Sequence, residues 1–172
     1  MPPLALGSLL EGALPWLSPD GRAVVNLLVC SNGRVGSAQT LCQRIGLRSR
    51  FQLNRLLRRE GLPAYEELAG WVCVLHWMLQ ADAGVGRGSL LPLAREAPME
   101  PATSYRLVRR VTNHSWKDLR RAGTAEVLRW FQQRVHPTQR QDELRPVVRE
   151  MVAGMREEMR ALEREFQRKG DR

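Results

Sequence analysis

The chain has 172 residues and a mass of 19.6 kDa, room for one ordinary domain or two small ones. Hydrophobic residues at 43% and charged residues at 26% exclude a wholly disordered protein, a fibrous repeat and a membrane channel. A formal charge of +9 and an isoelectric point near 10.8 favour anionic partners: nucleic acid, an acidic protein or an anionic membrane surface.

Apolar residues recur at helical spacing along the chain and strand signals are nearly absent, so an all-α fold is expected. Residues 1–17 are apolar but lack a basic start and are interrupted by Pro15; they read as an N-terminal tail, neither a signal peptide nor a membrane span. Ser18-Pro19-Asp20 is a helix start, with a capping serine and proline at the first helical position. This helix carries Val24, Leu27 and Leu28 and ends at Asn32-Gly33. Ser37 caps a short second helix stopped by Gly46, and Ser49 caps a third, in which Leu53, Leu56 and Leu57 share one face. A first subdomain is thus expected over 18–62.

A long linker helix follows over 63–83, through Leu68, Trp71, Val72, Leu75 and Leu79, and the stretch AGVGRG then reads as a hinge. The second subdomain, 84–136, repeats the pattern. A short helix carries Leu90, Leu93 and Ala94, Pro98 breaks it, and the next helix carries Leu107, Val108 and Val111. One further helix is expected over 115–135, with Trp116, Leu119, Leu128 and Phe131 inward. In 137–172, Leu144, Val148, Met151, Met155, Met159, Leu162 and Phe166 form a single apolar stripe ringed by charges of both signs. Such a helix lies on its own domain or pairs with a second copy, making a homodimer.

The basic charge is not spread evenly. Residues 34–61 hold seven arginines against one glutamate, and residues 105–121 hold five arginines and a lysine against one aspartate. These two excesses together surpass the net charge of the whole chain, so everything else is slightly acidic. That is the footprint of a polyanion binder with two contact regions.

Both regions coincide with the repeated element, a short helix, a tight turn and a basic helix, which is the logic of a helix-turn-helix. In the first unit, SAQTLCQRIGLRSRFQLNRLLRRE, burial of the leucines leaves Arg50, Phe51, Gln52, Asn54 and Arg55 outward as candidate base readers. Arginine suits guanine, and asparagine or glutamine suits adenine, because each can make two hydrogen bonds to that base edge. Arg44, Arg48, Arg58 and Arg59 are the candidate phosphate contacts. In the second unit Thr103, Tyr105 and Arg106 are the groove residues, and Arg109 and Arg110 the phosphate contacts. A connecting helix of twenty residues would be about 30 Å long, close to the ~34 Å repeat of B-DNA grooves, so as a rigid spacer it would set the two basic helices in adjacent grooves.

From about Pro19 to Arg121, roughly three-fifths of the sequence, the chain resembles the DNA-binding domain of AraC/XylS-type bacterial transcription regulators, two helix-turn-helix units joined by a linker helix. The carrying stretches are LCQRIGLRSRFQLNRLLRREGLPAYEELAGW and LAREAPMEPATSYRLVRRVTNHSWKDLRR. The resemblance places Phe51, Asn54 and Arg55 where family members contact bases. The second unit departs from the pattern, with Pro98 for the turn glycine, Ser104 at an apolar position and a turn one residue shorter; it is expected mainly to grip the backbone. Seventeen leading residues are too few for an effector or receiver domain, which leaves a stand-alone DNA-binding domain or one that takes its signal from another protein.

Other motifs read as structure. The glycine-rich 84–89 follows a helix and lacks the lysine of a phosphate loop. Cys73 and His76 lie one turn apart without a second pair to complete a metal site. Cys30, Cys42 and Cys73 read as buried thiols in a reducing compartment, and no catalytic set is identifiable. The expected protein is therefore a non-enzymatic, cofactor-free regulator of double-stranded DNA, cytoplasmic and nucleoid-associated. RNA polymerase or a signalling protein is its further candidate partner, and no membrane is involved. The competing expectations are a helical protein-interaction module that retains the fold and a nonspecific nucleic-acid binder.

Overall fold

Serine hydroxyls start four of the helices. In the computed structural model, which describes residues 2–95 and 100–135, the Oγ atoms of Ser18, Ser37, Ser49 and Ser115 accept from the backbone N–H groups of Gly21, Thr40, Gln52 and Asp118. Each satisfies a donor that the first helical turn leaves orphaned. The helices so opened are α2 (Pro19–Cys30), α3 (Ala38–Arg44), α4 (Arg50–Arg59) and α8 (Trp116–Ala122). The others are α1 (Pro2–Ala13), α5 (Tyr65–Asp82), α6 (Leu90–Arg95), α7 (Pro101–Thr112) and α9 (Thr124–Arg134). Among the described residues there is no strand, and no helix is long and apolar enough to cross a membrane.

α5 is the centre of the fold. Leu68, Trp71, Val72, Val74, Leu75, Trp77 and Met78 are all buried, and its neighbours are α1, α2, α6, α7 and α9. A helix apolar on every side is stable only when other elements surround it. Trp71 meets the Phe131 ring of α9 at a centroid distance of 5.6 Å and a 50° tilt, a favourable aromatic geometry. At the far end Asp82 accepts from Arg120 Nη1 at 2.9 Å and from the Thr124 hydroxyl, tying α8 and α9 to the end of α5.

The structure corrects several expectations. Residues 1–17 do not form a tail. Their prolines and glycines are poor helix formers, yet Leu6, Leu10, Ala13, Leu14 and Leu17 are buried as α1 docks on α2 and α5. The helix expected from Pro63 begins at Tyr65 and is largely buried. With 18 residues it is about 27 Å long, slightly shorter than the twenty-residue helix expected. The expected hinge contains one turn of 3-10 helix, Val85–Gly88, packed on α5 and α6. The single helix expected over 115–135 is two, because Gly123 at φ +81° takes a backbone conformation closed to most residues. Cys30 is exposed, whereas Cys42 and Cys73 are buried. Pro98 and the apolar stripe of 144–166, with the dimer expected from it, lie outside the described residues.

Candidate nucleic-acid interface

α3 and α4 pack together across a five-residue turn in which Gly46 has φ +75°. A side chain there would be strained, so glycine supplies the reversal. In α4, Leu53, Leu56 and Leu57 face the core, and the opposite side carries Phe51, Asn54, Arg55 and Arg58, all exposed. Their spacing of three, one and three puts them on a single face. Phe51 is 86% exposed, far more than an aromatic ring retained for packing would be. Arg44, Arg48 and Arg50 are exposed around the same end of this pair.

α6 and α7 form the second packed pair. Val108 and Val111 of α7 are buried, while Thr103, Tyr105, Arg106, Arg109 and Arg110 are exposed. Ser104 occupies an inward position at 0% exposure, and its Oγ has no hydrogen-bond partner among the described residues.

Two of the expected contact residues also serve the fold. Gln52 Oε1 accepts from the Arg48 backbone N–H at 2.8 Å, while its own N–H donates to Ser49 Oγ. This is a variant of the capping box, and the Ser-x-x-Gln spacing was its readable signal. Only the Gln52 amide nitrogen is left to face outward chemistry. Arg59 is paired with Glu60 at 3.2 Å and with Asp20 at 3.8 Å. By contrast the side chains of Arg44, Arg48, Arg50, Arg55, Arg58, Arg106, Arg109 and Arg110 make no ion pair with any described residue.

The two acids inside the basic segments explain this. Glu60, only 2% exposed, accepts from the Ser18 N–H at 2.8 Å and the Ser18 hydroxyl at 2.7 Å. Burial would raise its pKa, but these bonds and Arg59 outweigh it and hold the carboxyl below the usual glutamate range. Asp118 accepts from the Ser115 hydroxyl and N–H in the capping box of α8, chiefly through the side-chain bond, and its pKa is lowered. Each acid is thus held by a serine and does not neutralise the exposed arginine faces. Sequence counting registered both acids without finding their tasks.

A groove of about 700 Å³ runs between the connection from α2 into α3, the start of α4 at Arg50, the first half of α5 and the last turns of α7. Arg34, Arg50 and Arg110 line it over a floor that includes Ala69, Gly70 and Leu107. Burial pushes the pKa of the Cys73 thiol in this lining up to about 11, against a smaller opposing effect of the Arg34 guanidinium. Periodicity gave no hint of this groove, because its walls come from four separated segments.

Among the described residues no group of three or more His, Cys, Asp or Glu side chains is placed to hold a metal ion. Comparison with known protein families, with curated proteins and with solved structures found no match.

Proposed function

We propose that the chain is a sequence-specific double-stranded DNA-binding transcription regulator, of the AraC/XylS type that residues 19–121 resemble. The observation that carries this reading is the pair of exposed arginine faces on α4 and α7, which have no acidic partner among the described residues while Glu60 and Asp118 are held by Ser18 and Ser115. Unpaired guanidiniums on a helix face are a phosphate-binding surface. In this proposal α3 with α4 and α6 with α7 are two helix-turn-helix units. α4 enters the major groove, with Arg55 on guanine, Asn54 on adenine and Phe51 against a thymine methyl. Arg44, Arg48 and Arg58 hold phosphates, and Arg106, Arg109 and Arg110 of α7 grip the backbone beside it.

Selection of bound duplexes from a random library at about 150 mM salt, where nonspecific contacts are weakened, tests this. An enriched motif is expected, and the pair Asn54→Ala and Arg55→Ala is expected to lose it, each change weakening binding to the selected duplex by roughly ten- to a hundredfold. Both side chains are exposed, so the thermal unfolding of the double variant should match that of the parent. Retained binding at low salt without any enrichment would replace the proposal with nonspecific nucleic-acid binding. The nearly bare Phe51 ring favours one second reading, a protein-interaction module, in which neither enrichment nor salt-sensitive DNA binding occurs.

A further inference from the structure

We infer that the groove between α4, α5 and α7 is a binding site for a small phosphorylated metabolite, a phosphate monoester on a sugar-like body, with Arg34, Arg50 and Arg110 holding the phosphate. The volume of about 700 Å³ lies within the roughly 300–1,000 Å³ of small-molecule pockets. Among the described residues three arginines line the groove against a single acid, Glu66, an excess that matches a phosphate dianion. Arginine's planar fork of donors binds phosphate in pairs of hydrogen bonds. Arg50 and Arg110 make no ion pair with any described residue, and Arg34 lines the groove with them. The charges of Arg50 and Arg110 are therefore available to an anion.

The body of the ligand follows from the rest of the lining. Glu66 and Gln39 stand among the lining residues as acceptors for hydroxyl groups, while Ala69, Gly70 and Leu107 give an apolar floor. Ala69 and Gly70 are buried, so a ligand must enter the concavity to touch them. The phosphate backbone of a duplex, a convex rod, would meet the exposed Arg50 and Arg110 and leave that floor empty.

Arg50 belongs both to this groove and to the proposed DNA face, so an ester bound here withdraws it from DNA and lowers DNA affinity. This regulatory consequence rests on the regulator reading, whereas the site itself does not.

Calorimetric titration of the full chain at about 150 mM salt, with ribose 5-phosphate and adenosine 5′-monophosphate as probes and adenosine as the uncharged control, tests the site. Saturable one-to-one binding of both esters and none of adenosine is expected. The double variant R34Q/R110Q should bind roughly tenfold more weakly or worse. R44Q/R58Q, which loses the same charge elsewhere, should stay within about twofold of the parent. Since Arg34 touches the buried Cys73, Arg110→Glu alone, on an exposed position of α7, serves as the variant whose folding is secure, and it too should lose the esters. Failure of both esters to bind, or equal weakening in the groove and control variants, overturns the site. Ester binding by a chain that selects no DNA sequence would sink the regulator reading and keep the site. Sequence-selective DNA binding without ester binding would do the reverse.

Discussion

Gly70 of α5 and Val111 of α7 are in direct opposition: a Cβ on Gly70 would stand 2.6 Å from Val111 Cγ2 and 3.3 Å from Leu107 Cδ1. The missing side chain lets the second basic helix lie against the backbone of the core helix, and this contact brings Arg110 to the groove shared with Arg50.

Gly70→Ala should therefore destabilise the protein. Alanine gains about 1 kcal/mol of helix propensity, but wedging a stiff β-branched neighbour in a packed core costs about 1–3 kcal/mol, for an expected net loss of about 1 kcal/mol. Val111→Ala removes the obstructing methyl. In that background the same Gly70→Ala change should turn neutral or stabilising, and denaturant unfolding of the four proteins reads the coupling. Additive effects would show that the two helices do not meet at this point.

The Ser18–Glu60 latch should make stability sensitive to acid. The folded-state pKa of Glu60 is lowered, so between that value and the ordinary glutamate value near 4.3 the unfolded chain binds more protons than the folded one. The stabilisation is complete above the ordinary value and is lost as pH falls through the folded one. Glu60→Gln should cost about 2 kcal/mol at pH 7, the scale of hydrogen bonds to a charged, buried acceptor. It should also flatten the decline in unfolding temperature as pH falls below the ordinary glutamate value, which follows from the same linkage. A variant that declines as steeply as the parent would assign the acid sensitivity to other carboxylates.

Ser104 is a local defect in α7. Its hydroxyl is fully buried and has no partner among the described residues, a desolvation cost of about 1–3 kcal/mol left uncompensated. Ser104→Ala should raise stability by about 1 kcal/mol, helped by alanine's better helix propensity, with binding to the selected duplex unchanged because the side chain points away from the exposed face. Lower stability in the variant would mean that the hydroxyl makes a bond worth keeping.

Much of the candidate interface was legible in the sequence because it depends on local rules. The capping serines at 18, 37 and 49 and the division of α4 into Leu53, Leu56 and Leu57 on one side and Phe51, Asn54, Arg55 and Arg58 on the other follow from steps of three and four residues within one helix. The concentration of positive charge in two segments was equally plain. Gln52 shows where such reading stops: its outward position was foreseen, but its bond to the Arg48 N–H was missed although the spacing announced it. Arg59 looked equivalent to Arg58 in the sequence, yet one is held by Glu60 and Asp20 and the other is not.

What residue order specified about this protein is its helices, their starts and the faces they turn outward, since each is settled within a turn or two of chain. Folding settled the rest. The burial of α5 on every side, the docking of α1, the groove under Arg34, Arg50 and Arg110, and the choice of which arginines go unpaired all depend on groups far apart in the chain. Ser18 and Glu60 are separated by 42 positions and Arg120 and Asp82 by 38. Burial and ion pairing are properties of neighbours in space, and no periodicity within a helix encodes a neighbour that another helix supplies.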